Sequence, residues 1–247
     1  MSALSFLIPT KVGWGNQNTQ PQIAQLVESI RRENIPEYEI IFCGNYCPDD
    51  CEFIEYDFDA PGNKNNISRQ INLLAKAAKY PTLVYLRDYM VLREKWYQGY
   101  EKFGWGWDIC MSVIQNADDT RFRDLCAWSD PYYGYTWKQT EKWCGPNGMI
   151  HKGRPHLPEY TWNRTQHCYI SAAHWCCTKQ FMEKYPFDET VLYAQAEDCE
   201  WSFRWRNNVK LYMNTYSAVK LLKYKDRVLP AIHPKFATKE YCEKELL

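Results

Sequence analysis

The chain has 247 residues, with 30 lysines and arginines against 30 aspartates and glutamates, so its formal net charge is zero. A neutral chain without a long run of one sign lacks the bulk attraction for nucleic acid or for an anionic membrane, and we expect neither as a partner. The length falls within the range of one large α/β domain.

The eleven cysteines form no paired C-x-x-C motif, and a chain of this size needs no disulfide bonds for stability. Cys47 and Cys51 flank an acidic turn, where a zinc site is the alternative to ordinary free thiols. Free thiols predict a reducing compartment, so the expected location is cytoplasmic. The N-terminal MSALSFLIPTK has neither a basic leader nor an apolar run long enough for a signal peptide or a transmembrane segment, and it is interpreted as the first strand.

The first third of the chain alternates between short apolar runs and apolar residues at helical spacing. The short runs predict strands at 5–9, 40–43, 51–56 and 82–86. Helical spacing predicts one helix from Ile23 to Ile30, with Pro21 suited to its first turn, and a second helix from Ile67 to Ala78. This alternation predicts a parallel sheet with right-handed crossovers.

Polar residues follow three of these strands, namely Thr10-Lys11, Gly44-Asn45 and Arg87-Asp88. Ligands of open α/β sheets bind beyond the carboxyl ends of the strands, which is where these residues are expected to meet. An aspartate directly after a buried strand is either a turn-capping residue or a site residue. The shared position at the strand ends makes Asp88 a candidate site residue.

The rest of the chain is less regular. Strands are predicted at 108–114, 169–173 and 209–213, and helices at 178–185, from Glu197 and after Thr238. Residues 116–167 are rich in Trp, Tyr, Gly, Pro and charge, which is typical of a functional loop, because the aromatic content argues against disorder. Sugar faces stack on aromatic rings, and the acceptor-side candidates are Trp128, Tyr132, Tyr133 and Trp137.

Three stretches occur in an order that is typical of one enzyme family: SFLIPTK at 5–11, SRQINLLAKAAKYPTLVYLRDY at 68–89 and FDETVLYAQAEDCEWSFRWR at 187–206. With them the chain resembles the nucleotide-sugar-dependent glycosyltransferases of the GT-A fold, most like the large inverting family, over roughly 4–216. The resemblance implies a single α/β domain of the GT-A (Rossmann-like) type, with a mixed, mostly parallel sheet flanked by helices. It implies a nucleotide-sugar-binding half at 1–104, and an acceptor-binding half with the C-terminal tail at 105–247.

The resemblance places the metal-binding Asp-x-Asp motif at 87–89, where only the middle acid is present. It implies either Mn²⁺ or Mg²⁺ on Asp88, with His233 as the nearest imidazole downstream, or neutralisation of the donor diphosphate by Arg87 with Lys220. The remaining donor contacts that it implies are Pro9, Thr10, Lys11, Asn45 and Arg69. The acid that the family often places after the second strand is Gly44 here, and Asp57 is the substitute candidate for base recognition.

The resemblance assigns the general base to Asp198, with Glu197 as its orienting neighbour. The alternative for this pair is a charged first turn that interacts favourably with the helix dipole. The implied reaction moves a sugar from a nucleotide-diphosphate sugar to a hydroxyl of a carbohydrate or glycoconjugate, with inversion. Two other functions stay open: a nucleotidyltransferase, for which Gly13 and Gly15 are a slight indication of a phosphate loop, and a non-catalytic carbohydrate-binding protein.

Overall fold

The computed structural model describes residues 2–13, 19–127, 160–161, 168–193 and 197–225. The helices are α1 Gln20–Arg31, α2 Ile67–Ala77, α3 Trp96–Phe103, α4 Lys179–Lys184 and α5 Glu197–Trp205. The strands are β1 Leu4–Pro9, β2 Tyr38–Gly44, β3 Glu52–Glu55, β4 Thr82–Leu86, β5 Met90–Leu92, β6 Ile109–Gln115, β7 Leu125–Ala127, β8 Cys168–Ile170, β9 His174–Thr178 and β10 Leu211–Leu221. Within these ranges no helix has both the length and the apolar character that crossing a membrane requires.

Among the described residues, eight strands form one sheet in the order β3-β2-β1-β4-β9-β6-β10-β5. The first four are parallel neighbours, and β9 runs antiparallel to both β4 and β6. On the far side β6 and β10 are parallel, while β5 is antiparallel to β10. Strands β7 and β8 pair separately as a small antiparallel ribbon. The expected mixed α/β sheet with a parallel first half is confirmed.

The parallel half follows from its local sequence. Strands β1 and β4 are buried along their whole length, as strands covered by helices on both faces should be. Helix α1 buries an apolar stripe that includes Ile23, Leu26 and Ile30. Helix α2 begins where the Asn66 side chain accepts a hydrogen bond from the backbone N–H of Arg69. These elements hold the carboxyl ends of β1 and β4 side by side.

Strand β9, in the middle of the sheet, differs from the sequence prediction. The sequence predicts a strand at 169–173 and then a helix, whereas the structure has β8, a turn and then β9, with α4 following directly. The four residues 174–177 of β9 are buried. A strand covered on both faces has no polar alternation, so periodicity alone does not separate it from the helix that follows. The turn at 171–173 that results faces the end of β4.

Strand β10 is longer than the sequence predicts, reaching Leu221 instead of residue 213. Its register against β6 shifts between Asn214 and Ala218, which marks an irregularity in the strand. The extension brings the chain back to the end of β4, where the Leu222 N–H donates to the carbonyl oxygen of Tyr89 at 2.8 Å. Residues 222–225 therefore lie beside the turn that contains Asp88.

Candidate active site

A cleft opens at the carboxyl ends of β1 and β4, where ligands of open α/β sheets bind. It encloses about 770 Å³, including the space at its mouth. The residues that line it are Pro9, Thr10, Lys11, Phe58, Asn65, Asn66, Ile67, Gln70, Arg87, Asp88, Tyr89, Tyr193, Lys223 and Lys225. Five of the predicted donor residues, at positions 9, 10, 11, 87 and 88, are thus brought together.

The ends of β1 and β2 approach closely at Gly44. A Cβ atom at this position would overlap the carbonyl oxygen of Thr10, so glycine is required for a steric reason. The side chain of Asn45 exchanges two hydrogen bonds of 2.9 Å with the backbone N–H and carbonyl of Val12. Asn45 therefore fixes the loop after β1, and it does not itself line the cleft.

Asp88 lies in the turn between β4 and β5, with 2% of its surface exposed. Its carboxyl group accepts a hydrogen bond from the backbone N–H of Lys11, while its Oδ2 has no hydrogen-bond partner among the described residues. Burial raises the pKa of Asp88, and the guanidinium of Arg87 opposes this shift. A ligand in the cleft would supply the missing partner of Oδ2.

Arg87 connects the cleft to the acidic pair at the start of α5. Its Nε donates to the carbonyl oxygen of Ala172 at 2.9 Å, and its Nη2 lies 4.0 Å from Oε1 of Glu197. The guanidinium also lies 5.4 Å from the centre of the Tyr193 ring. These contacts hold a permanent positive charge at a defined place in the cleft.

Lys223 and Lys225 line the cleft, and the sequence reasoning missed both. Their ammonium nitrogens lie 3.9 Å and 4.1 Å from the centre of the Tyr89 ring, and Lys225 Nζ donates to Tyr89 Oη at 2.5 Å. Burial lowers the pKa of each lysine to about 8. Repulsion by Lys225 lowers the pKa of Lys223 further, and Arg87 has the same effect on Lys225. No local signal identified them, because the predicted strand ended at residue 213.

Glu197 and Asp198 open α5, and both are buried. The Asp198 carboxylate accepts from the backbone N–H of Ala172 at 3.1 Å and from that of Cys199 at 2.9 Å. Ala172 thus contacts Asp198 through its N–H and Arg87 through its carbonyl oxygen. Burial and the neighbouring charge of Asp198 raise the pKa of Glu197 to about 7, and the guanidinium of Arg87 opposes this. Burial thus favours the protonated form of the Glu197 carboxyl group.

The other predicted donor residues lie outside the cleft lining. Arg69 Nε lies 3.7 Å from a carboxylate oxygen of Glu189. Lys220 Nζ donates to Oδ1 of Asp119 at 2.8 Å. Asp57 accepts, through its own Oδ1, the backbone N–H two residues further on at 2.9 Å. Each of these three side chains therefore has its partner outside the cleft lining.

Several candidates lie outside the described residues, namely His233, Trp128, Tyr132, Tyr133, Trp137 and Gly15. The nine cysteines within the described ranges are free thiols. The described ranges contain no group of three or more His, Cys, Asp and Glu side chains that could hold a metal ion.

No protein-family model and no curated protein matches the chain. Solved structures do match it. The crystal structure of GalNAc-T7 with UDP, GalNAc and Mn²⁺ is similar to 92% of this chain, with a TM-score of 0.62 and 12% identity. The structure of S. aureus TarS 1–349 is similar to 87% of this chain, with a TM-score of 0.50 and 13% identity. The chain has the GT-A fold.

Both of these neighbours are glycosyltransferases of this fold. The chain spans 45% of the length of the GalNAc-T7 structure and 60% of the TarS structure. The fold class expected from the sequence is confirmed by this similarity.

Proposed function

We propose that the chain is a glycosyltransferase that moves a hexosyl or pentosyl group from a nucleotide-diphosphate sugar to an acceptor hydroxyl, with inversion at the anomeric carbon. The observation that supports this most is a cationic cleft at the strand ends of a GT-A fold. Its lining contains four basic side chains, Lys11, Arg87, Lys223 and Lys225, against the one carboxyl group of Asp88. A donor diphosphate would supply the negative charge that this lining lacks.

The part of the cleft that Phe58 and Asn65 line is the proposed place of the nucleoside. Phe58 provides an aromatic ring there, with Lys11 Nζ 4.5 Å from its centre. Asn65 also lines the cleft, and its Oδ1 is a buried acceptor without a partner among the described residues. In the proposed complex the base stacks on Phe58 and donates an N–H to Asn65. The basic side chains Arg87, Lys223 and Lys225 of the same lining are then left for the diphosphate.

The proposed reaction takes place between the cleft and the acidic pair, which Arg87 connects. The acceptor oxygen attacks the anomeric carbon, and its proton passes to the Asp198 carboxylate. The bond between the anomeric carbon and the donor phosphate oxygen breaks, and its electron pair leaves with the nucleoside diphosphate. Arg87 is placed to stabilise the developing charge. Because Ala172 contacts both Arg87 and Asp198, one backbone unit sets the geometry of the leaving-group cation and of the base.

A panel of UDP-, GDP-, dTDP- and CMP-sugars tests this proposal through the melting temperature and the release of the free nucleotide. One class of nucleotide-diphosphate sugar should raise the melting temperature, because selective binding stabilises the native state. The CMP-sugars are matched controls, since they carry a single phosphate. Absence of binding to every nucleotide sugar contradicts the proposal. Binding without release of nucleoside diphosphate, in the presence of an acceptor panel, supports the non-catalytic alternative.

A further inference from the structure

The described lining of the cleft does not fit a divalent metal ion. Mg²⁺ and Mn²⁺ take several oxygen ligands, with carboxylates as the usual protein donors. Among the described residues that line the cleft, Asp88 supplies the one carboxylate, and its unpartnered Oδ2 is the feature that favours a metal. Arg87 and Tyr89 flank it in place of further acids. The surrounding ammonium and guanidinium groups would repel a dication at short range.

We infer that Lys223 and Lys225, together with Arg87, neutralise the donor diphosphate in place of a divalent metal ion, so that the protein binds its donor without metal. This inference rests on the proposed function and specifies how its donor site works. The Lys220 that the resemblance pairs with Arg87 is replaced in this role by two lysines further along the chain.

The segment that carries the two lysines is fixed by hydrogen bonds that its backbone makes with the Asn116 side chain and with the Tyr89 backbone. Asn116 accepts the Lys225 N–H at 2.9 Å and donates to the Lys225 carbonyl oxygen at 2.7 Å. The Leu222 N–H is bonded to the carbonyl oxygen of Tyr89, as described above. Lys223 and Lys225 follow β10 in a bent segment, and the ammonium groups of both reach the ring of Tyr89. The two charges are thus held in place before any ligand binds.

Tyr89 links the two lysines to the position of the Asp-x-Asp motif. It stands where the family has the last acid, and its ring lies within 4.1 Å of both ammonium nitrogens. Cations are attracted to the face of an aromatic ring, and the Tyr89 hydroxyl oxygen also accepts a hydrogen bond from Lys225 Nζ. The residue that replaces a metal-binding acid therefore positions the lysines that replace the metal.

The crowding of like charges indicates a ligand of opposite charge. Lys223, Lys225 and Arg87 repel one another in a partly buried cleft, which disfavours the free protein. An arrangement that costs stability in the free state is typical of a binding site. Lysine is a common phosphate-binding residue because its compact charge pairs with phosphate oxygens from several directions.

Calorimetric titration of the full chain with UDP and GDP, in EDTA and in saturating Mn²⁺, tests the inference. The nucleotide that binds should have the same affinity in both buffers, within about threefold. Lys223→Gln and Lys225→Gln should each weaken its binding by about 10- to 100-fold, which is typical of a lost charge-assisted hydrogen bond. Affinity for the matching nucleoside, uridine or guanosine, should not change, since it has no phosphate.

Lys102→Gln is the matched control, because Lys102 Nζ lies 4.0 Å from the Tyr216 ring, outside the cleft lining. It should bind the nucleotide as the unmodified protein does. The melting temperature of free Lys225→Gln should equal or exceed that of the unmodified protein, since one partly buried repulsive charge is removed. A folded Lys225→Gln with full affinity for the nucleotide overturns the inference.

Metal dependence separates this inference from the proposed function. If the nucleotide binds in Mn²⁺ but not in EDTA, the inference is overturned and the glycosyltransferase proposal stands. If UDP, GDP and dTDP all fail to bind in both buffers, the proposed function itself is contradicted.

Discussion

The donor cleft and the acidic pair at the start of α5 hold their charges in opposite ways. In the cleft, Lys223 and Lys225 share one aromatic ring, and their neighbours include a further cation. In the acidic pair, the Asp198 carboxylate is held by two backbone N–H groups, and Glu197 lies opposite a guanidinium. The lining of the cleft thus carries an excess of cations that an anionic ligand would balance, whereas the acidic pair is oriented by the protein itself.

This difference separates the two tasks of the proposed reaction. The leaving diphosphate is negatively charged, so a cleft with an excess of cations is suited to bind it. A general base must keep its orientation through the reaction, and the two hydrogen bonds from backbone N–H groups to Asp198 provide that. Arg87 lies between the two regions and contacts the peptide of Ala172, which also holds Asp198. Substitutions on each side of Arg87 should therefore have different signatures.

The largest expected effect comes from Asp198→Asn. The substitution keeps the shape of the side chain and removes its basicity, so turnover should fall by about 10² to 10⁴, while nucleotide affinity stays unchanged. Initial rates and calorimetric affinities on one preparation measure both quantities. Glu183→Gln, an exposed acid on α4, is the control. A mutant that melts at a lower temperature and keeps full turnover would show that Asp198 only stabilises the helix start.

Arg87 substitutions test the link between the two regions. Arg87→Gln removes the charge and should weaken nucleotide binding by about 10- to 100-fold. Arg87→Lys keeps the charge, so it should recover part of the binding. It loses the Nε bond to Ala172, so turnover should stay low. Equal recovery of affinity and turnover in Arg87→Lys would contradict the positioning role and leave only a charge effect.

Glu197→Gln tests the acidic pair through stability. The pKa of Glu197 is raised in the folded state, from 4.5 to about 7, mainly by burial and by Asp198. Between these two pKa values the folded protein binds more protons than the unfolded chain does. The stability that protonated Glu197 contributes is therefore lost as the pH rises through the folded-state pKa. Glu197→Gln stays neutral. Its free energy of unfolding relative to the unmodified protein should rise between about pH 5 and about pH 8.

The expected change is on the order of 2 kcal/mol, or about 4–8 °C in melting temperature. Thermal melts of both proteins at the two pH values measure it. Burial lowers the pKa of His174 to about 4, which makes its own contribution opposite in sign. That contribution is the same in both proteins and cancels in the difference. A difference that does not vary with pH would show that Glu197 titrates normally.

The smallest expected effect is that of Asp88→Asn, which removes the carboxylate charge from the cleft and keeps its size. Without a metal, nucleotide affinity in EDTA should rise by roughly three- to tenfold, because one repulsive charge is lost. If Asp88 binds a metal, affinity in Mn²⁺ should instead fall strongly. Asp108→Asn, an exposed acid outside the cleft lining, is the control and should leave the affinity unchanged.

The sequence by itself determined the parallel half of the sheet. Strands β1, β2, β3 and β4 and helices α1 and α2 follow from short-range apolar periodicity, which is a local property. The polar residues at the ends of β1 and β4 then follow from the shared edge of parallel strands. For this reason the sequence alone predicts that Thr10, Lys11, Arg87 and Asp88 are neighbours, and all four line the cleft. Tertiary packing confirmed that grouping and added to it.

Only the tertiary structure decided how the second half completes the site. Strand β9 has no periodicity, because it is covered on both faces. The hydrogen bonds that define the site join Arg87 to Ala172 and Lys225 to Tyr89, across 85 and 136 positions of the chain. Residues this far apart meet through the register of β9 and the irregular extension of β10. Local periodicity carries no information about such contacts. For this reason only the folded structure shows that Lys223 and Lys225 line the cleft.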